Sequence, residues 1–415
     1  MKKKLAIVAA TLGLAFALTA RAELVIRITE GVKDGIPVMI VPFQGSDLAS
    51  VIEADLMRSG RFTLIDPARA GQALAPGLPY DVPKLRSSGA EYVIVGKQTG
   101  TLEFEILNAA TGQRVSGFRI PQHPNRRRMA HKAADLVFER LTGTRGAFDT
   151  RIAYVAANGA PRHQTYQLIV ADSDGFNPRT VMTSNQPILS PSWSPDGRRL
   201  AYVSFETDRS AIYIQDLATG EKRSVSNRTG TNGAPSWSPD GQSLAVSLSE
   251  NGNPDIFVMD ASGNNLRQIT HSDAIDTEPT WANSSTIVYT SDQSGKPQLY
   301  RTSAAGGDGT RMTFEGSYNS APSIVGNQVA MVRQVDGDFR IALMSASSRK
   351  SSIISNGRFD EAPTIAPNGS MVLYATKREG RSMLAVSSAN GKAQQTLSAD
   401  NGGDVREPAW SNYLD

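Results

Sequence analysis

A repeat of fixed length limits this chain more than any other feature. Ser190-Pro191-Ser192-Trp193-Ser194-Pro195-Asp196-Gly197 is followed by Leu200-Ala201-Tyr202-Val203, and Ala234-Pro235-Ser236-Trp237-Ser238-Pro239-Asp240-Gly241 by Leu244-Ala245-Val246. Related units begin at Glu278-Pro279-Thr280-Trp281, Ala321-Pro322-Ser323-Ile324, Ala362-Pro363-Thr364-Ile365 and Glu407-Pro408-Ala409-Trp410. The leading prolines are 44, 44, 43, 41 and 45 residues apart. A period of about 40–45 residues built from short strands and Gly, Asn, Asp and Ser turns predicts β-propeller blades of four strands each. All four tryptophans of the chain fall at the same repeat position, as expected of core side chains between sheets rather than of a ligand platform.

The ends of the repeat imply how the ring closes. Arg151 to Val155, Gln167 to Asp172 and Arg179 to Thr183 match the second, third and fourth strands of a unit and lack the first. Val405 to Trp410 matches a first strand and lacks the rest. The C-terminal strand should therefore complete the first blade. Residues 151–415 number 265, which six units of about 44 residues fill. The expected fold is an α/β N-terminal domain over 23–147 followed by an all-β, six-bladed propeller over 148–415, closed by the C-terminal strand. Closure removes sheet edges that would otherwise aggregate.

Ahead of the repeat, helix and strand signals mix. Leu24 to Thr29, Ile36 to Phe43, Phe62 to Ile65 and Tyr92 to Val95 read as strands. Leu102 to Leu107 and Val115 to Ile120 read as a hairpin around Ala110-Thr111-Gly112-Gln113. Asp47 is the expected N-cap of a helix stopped by Gly60, and Asn125 to Leu141 reads as a second helix ended by Gly143. Residues 1–22 have the three parts of a cleaved secretory signal: Lys2 to Lys4, the apolar run Leu5 to Leu18, and Ala20-Arg21-Ala22. That run is too short to cross a bilayer, and no other stretch is long and apolar enough. Cleavage would make Glu23 the first residue of an exported chain without a transmembrane segment.

Charge and composition exclude several functions. The whole chain carries 43 basic and 40 acidic residues, but without the leader's four basic residues the balance is −1. A nucleic-acid partner is not expected, because counterion release needs a persistent basic face. With no Cys there is no disulfide, thiolate nucleophile or Cys-bound zinc. No Gly-x-Ser-x-Gly elbow or P-loop is present, and the four histidines have no metal-ligand spacing. Neither catalytic residue, metal nor cofactor is expected. Arg126-Arg127-Arg128 opens a predicted helix at the end unfavourable to cations, and reads as a solvated face or as a contact for an anionic partner. Acids recur before the inner strands at Asp276, Glu278, Asp360, Glu361, Asp404 and Glu407, and read as a solvated rim or as a cation site.

In a four-stranded blade, the segments preceding each inner strand share one axial face. This places Thr231, Asn232, Ala234, Asp276, Thr277, Glu278, Asn319, Ser320, Asp360 and Glu361 around one polar mouth. At the other end, the alternation in Glu23-Leu24-Val25-Ile26-Arg27-Ile28-Thr29 describes a β-strand able to pack on its own protein or to add to a partner's sheet.

The order of leader, α/β domain and propeller resembles the TolB family, the periplasmic component of the bacterial Tol-Pal envelope system. The resemblance covers nearly the whole mature chain. It is carried by Ser190 to Gly197 with Leu200 to Glu206, Thr277 to Trp281, Tyr289 to Gln298, Ala366 to Met371 and Glu407 to Leu414, with Val41-Pro42-Phe43 also similar. Departures are a short loop at Gln44 to Asp47, and the absence of Pro-Asp-Gly turns at Ala282-Asn283-Ser284 and Val325-Gly326-Asn327. The resemblance implies a monomeric, non-enzymatic adaptor in the periplasm. It would bind the lipoprotein Pal through the propeller mouth and TolA through Glu23 to Thr29, supporting outer-membrane integrity and constriction during cell division. Thr231, Ala234 and Thr277 match family positions that meet Pal, with Thr231 in place of a common His. Composition alone leaves two other readings: an exported propeller hydrolase or lyase using mouth carboxylates, or a propeller that binds glycans or small ligands.

Overall fold

The computed structural model describes residues 24–30, 32, 34–160, 163–250, 252–399 and 403–414. The leader and Glu23 lie outside the described residues. Six sheets of propeller type form the ring. Blade 1 has the strand order Asp404–Trp410, Arg151–Asn158, Thr165–Asp172, Arg179–Ser184. The C-terminal strand is innermost and antiparallel to Arg151–Asn158, with Trp410 opposite Ile152. This is the closure read from the two incomplete units. Blades 2 to 5 follow in chain order from inner strands Ile188–Trp193, Asn232–Trp237, Asp276–Asn283 and Asn319–Val325. Blade 6 runs from Glu361–Ile365 outward to Gln394–Ala399.

The turns explain why the repeat keeps its residues. In Ser194-Pro195-Asp196-Gly197 the Ser194 hydroxyl and the Arg198 amide donate to Asp196 Oδ1 (2.5 and 3.1 Å), and Gly197 adopts φ 66°. Ser238 to Gly241 repeats the geometry, with φ 69° at Gly241. The left-handed conformation is what glycine supplies at low cost. Each tryptophan of the repeat is largely buried, and two of the indoles bridge blades. Trp193 Nε1 donates to Ala409 O (3.1 Å) and Trp281 Nε1 to Ser236 O (3.1 Å), each in the preceding blade.

The N-terminal sheet has the order β3-β2-β4-β5-β6, formed by β2 (Ile36–Ile40), β3 (Phe62–Leu64), β4 (Tyr92–Thr99), β5 (Thr101–Asn108) and β6 (Arg114–Ile120). β2 is parallel to β3 and β4, and the rest is antiparallel. Ile40, Ile94, Phe104 and Ile106 pack with α1 (Ala49–Arg58) and α3 (Arg126–Thr142), whereas Met39, Val93 and Val95 pack with the short α2 (Val82–Ser87) on the other face. Asn125 caps α3 through Arg128 N (3.1 Å), and Gly143 ends it at φ 74°. Asp47 does not cap α1: Leu48 occupies that position without a side-chain bond, and Asp47 instead pairs with Arg126 (2.9 Å).

β1 (Leu24–Glu30) is outside this sheet. It runs antiparallel to Gln394–Ala399 as a fifth, outermost strand of blade 6, with Leu24 opposite Ala399 and Ile28 opposite Gln395. The same core cluster also joins the α/β domain to blades 1 and 6: Leu56, Phe62, Phe138 and Phe148 pack with Tyr154, Leu373, Val386 and Trp410. Gly60 lies against the Ser388–Asn390 turn of blade 6, so a Cβ there would collide with Ser388, and Asn390 Nδ2 donates to Gly60 O (2.8 Å).

Candidate functional site

The mouth of the ring is a cavity of about 720 Å³ walled by the first residues of the inner strands. A bulge shapes it. In every blade the residue before the leading proline has positive φ: Ser190 (49°), Ala234 (46°), Glu278 (55°), Ala321 (52°), Ala362 (50°) and Glu407 (54°). The strand register slips at the same place in all six. Non-glycine residues in this region cost on the order of 1 kcal/mol each, and they persist because the ring overdetermines them. The bulge turns the inner strand so that the residue before proline faces the axis. Proline suits the next position because it has no amide hydrogen to leave unpaired.

Two of these six residues are acids three blades apart. Glu278 Oε2 accepts from the Ala321 amide (2.7 Å) and the Thr290 hydroxyl (2.8 Å), and Glu407 Oε2 accepts from the Ser190 amide (2.9 Å). Each carboxylate thus pins the bulge of the following blade. Burial pushes the Glu407 carboxyl above its ordinary value, against the lowering effect of the Ser190 amide.

The anticipated mouth residues separate into two groups. Ala234, Glu278, Ser320, Asp360 and Glu361 line the cavity. Thr231 and Thr277 sit beside it, exposed and half-buried respectively. Asn232, Asp276 and Asn319 are buried off the cavity wall, three residues before each proline, and brace the incoming loop. Asn232 Oδ1 accepts from Ser226 Oγ (2.5 Å) and Arg228 N (3.1 Å). Asn319 Nδ2 donates to Gln298 Oε1 (2.9 Å) and Glu315 O (2.8 Å). Asp360 has the same bracing role from the wall, accepting from Ser355 Oγ (2.5 Å) and Thr376 Oγ1 (2.6 Å). Burial raises the carboxyl pKa of both Asp276 and Asp360, and the hydroxyls around them oppose it. A loop-bracing role and a mouth-lining role look alike in sequence, since both call for small polar residues.

Of the exposed apolar side chains on loops leading into blades 6, 5 and 4, Phe359 (60% exposed) lines the cavity, while Phe314 (61%) and Ile275 (50%) lie outside its lining, with Phe314 against Arg311 and Arg349. Tyr318 packs edge-on against Phe339 (5.4 Å between centroids), and both reach the cavity with Phe359. Tyr318 and Phe359 lie on segments that precede inner strands, whereas Phe339 belongs to a second-to-third-strand hairpin that crosses the same face and carries no signal in the repeat.

Arg126 is solvated, with its side chain 54% exposed, whereas Arg127 and Arg128 are partly buried, and all three are ion-paired. They pair with Asp47 (2.9 Å), Asp174 (2.6 Å) and Asp149 (2.9 Å). Arg127 enters a buried network at the domain seam. His131 Nδ1 lies 2.7 Å from Asp55 and Nε2 3.3 Å from Asp174, while Arg58 reaches Asp55 (2.9 Å) and Ser173 (2.8 Å to Oγ). Among the described residues, Asp55, His131 and Asp174 are the one group close enough to share a metal ion. Arg58 and Arg127 already neutralise these carboxylates, which fits an ion network better than a metal centre.

The class of protein so defined is a six-bladed propeller with a largely polar well at its mouth, fused to a small α/β domain. The profile described as the TolB beta propeller domain matches residues 138–414, and that of the TolB amino-terminal domain matches residues 24–115. The Tol-Pal system protein TolB of Xanthomonas campestris pv. campestris strain B100 is 46% identical over 436 aligned residues, covering 100% of this chain and 99% of the relative. Its counterpart in Xanthomonas oryzae pv. oryzae strain PXO99A is 45% identical with the same coverage. The crystal structure of TolB from Acinetobacter baumannii superposes with a TM-score of 0.88 at 36% identity, over 94% of this chain and all of that one. The chain belongs to the TolB family of Tol-Pal system proteins. No helix among its described residues is long and apolar enough to cross a membrane.

Proposed function

We propose that the chain is a periplasmic protein–protein adaptor that links the outer-membrane lipoprotein Pal to the inner-membrane protein TolA. In this role it supports outer-membrane integrity and constriction at division. The observation that supports the reading is that the ring carries two separate features suited to docking, an open mouth and an edge strand. One is the mouth, where Ala234, Glu278, Ser320 and Glu361 supply polar contacts and Phe359 and Tyr318 supply apolar ones. Such a well suits a loop of a folded partner, with aromatic anchors beside hydrogen-bonding groups. The other is β1, an edge strand on blade 6. An extended segment of this kind pairs as readily with another chain's sheet edge as with its own. While it lies on Gln394–Ala399, one side of its backbone is occupied, so TolA would compete with blade 6 for the strand. The leader, with its basic start and apolar run, supports export to the periplasm.

Two mature proteins test this in calorimetric titrations, one beginning at Glu23 and one at Ile36. Both should bind Pal alike, and only the first should bind TolA. Equal TolA affinities would remove the strand from the interaction, and absence of Pal binding in both would remove the mouth.

A further inference from the structure

On the face of the ring opposite the mouth, a cleft of about 640 Å³ opens between blades 1 and 2. Arg151, Asp172 and Arg179 border it from blade 1, Arg198 and Asp216 from the turns of blade 2, and Asn125 from the start of α3. Nothing in the adaptor reading uses this cleft.

The charges in it are unevenly satisfied. Asp172 Oδ2 accepts from Asn125 Nδ2 (3.3 Å) and Asn177 Nδ2 (2.5 Å). Asp216 Oδ1 accepts from the amides of Ala218 (2.8 Å) and Thr219 (2.9 Å). Arg179 Nη2 donates to Leu217 O (3.0 Å). Arg151 differs: its backbone amide donates to Ser411 Oγ (2.9 Å), but its half-buried guanidinium has no hydrogen bond or ion pair among the described residues. Arg198 is exposed and its side chain is likewise unengaged. A guanidinium carries five donors, and those of Arg151 face the cleft with no protein acceptor among the described residues. Burial depresses the Arg151 pKa, and Arg128 and Arg179 add to this, opposed by Asp172 and Asp149. Arg128 is itself tied to Asp149, so it lends charge to the cleft without closing it.

Three arginines against two engaged aspartates leave the walls with a single net positive charge. That excess suits a ligand of one or two negative charges and not a polyanion. Guanidinium forks match tetrahedral oxyanions, whose several oxygens accept from two sides at once. We propose that the cleft binds a single phosphate group, free or as the head of a phosphate ester, with Arg151 at its base and Arg198 at its entrance. The source could be a soluble phosphate or a phospholipid headgroup, which share this chemistry.

The test uses the whole mature chain at constant ionic strength, with chloride as the reference anion. Inorganic phosphate is titrated by calorimetry and by phosphorus NMR line width, and acetate serves as the planar comparison. Vesicles of phosphatidylglycerol and of phosphatidylcholine are tested by sedimentation. Saturable phosphate binding that Arg151→Gln weakens by roughly tenfold or more, and Arg198→Ala by less, is the expected result. Sedimentation with phosphatidylglycerol alone, abolished by Arg151→Gln, would support the cleft and assign the headgroup as the source. Without phosphate, Arg151→Gln should melt no lower than the parent, since it removes a half-buried charge that has no hydrogen bond or ion pair among the described residues. A marked drop would identify Arg151 as a structural group and overturn the proposal. So would equal binding of acetate, phosphate binding that Arg151→Gln leaves unchanged, or no response to either phosphate or anionic vesicles.

Discussion

Asp174→Ala should open the seam between the two domains. Asp174 accepts from Arg127 Nε at 2.6 Å and faces His131 Nε2 at 3.3 Å, deep in the joint formed by α1, α3 and blade 1. Removing it leaves Arg127 and a protonated His131 side by side with only Asp55 to balance His131 and Arg58. Breaking a buried pair by deleting one partner costs about 3–5 kcal/mol, because the survivor stays desolvated. The titration of His131 leads to a similar figure. Burial alone would lower its pKa, but Asp55 and Asp174 overcome this and raise it from 6.5 to about 10. Such a rise corresponds to roughly 5 kcal/mol. Because the folded value lies above the unfolded one, this stabilisation is complete below the unfolded value of 6.5 and fades as pH rises toward about 10. Asp174 behaves oppositely: burial would raise its carboxyl, but His131, Arg58 and Arg127 hold it well below the usual range. Its contribution is present above the ordinary 3.8 and is lost only in strong acid. Urea unfolding followed by circular dichroism, near about pH 6 and about pH 9, reads both effects. The parent should be weaker at the higher pH. The variant should be destabilised most at the lower pH, with a flatter pH response and an earlier, separate transition for the α/β domain. A loss below about 1 kcal/mol at the lower pH, the worth of an exposed pair, would refute the network.

Three further outcomes follow from the ring. Deleting residues 404–415 strips blade 1 of its inner strand and should give aggregation or loss of cooperative unfolding, read by light scattering and calorimetry; a monomer with unchanged melting would contradict closure. Ala234→Trp places a large side chain on the mouth wall and should weaken Pal binding at least about tenfold while leaving the circular dichroism spectrum intact; an unaltered calorimetric affinity would move the site elsewhere. Trp193→Phe removes the indole bond to Ala409 O between blades 2 and 1 and should cost about 1–3 kcal/mol in urea titrations; no change would mean that this bond does not hold the closing blade.

The six-bladed ring and its closure were legible because each blade repeats its own local instructions. Ser-Pro-Asp-Gly sets a turn within a few residues, alternating apolar residues set the strands, and incomplete units at Arg151 and Val405 can only complete each other. The same holds for α3, whose Asn125 cap and Gly143 stop act through immediate neighbours. Three features came only from the folded chain. The inner-strand bulge was invisible because its positive φ occurs at Ser, Ala and Glu, which carry no signal for it; the ring axis, not the residue type, selects that backbone. Asn232, Asp276 and Asn319 looked like mouth residues until the preceding blades brought Ser226, Ser272 and Gln298 to them from an outer strand, a loop and a third strand respectively. Arg127 and Arg128 could not be told from the exposed Arg126 in sequence, because their partners Asp174 and Asp149 lie 47 and 21 residues away. Likewise, β1 had an alternating pattern that fits any sheet edge, and only the arrival of Gln394–Ala399 beside it determined which edge it covers. Local backbone preference and side-chain periodicity are written within a few residues of one another. The pairing of distant charges and edges depends on where the ring closes, which the chain settles only once all six blades are in place.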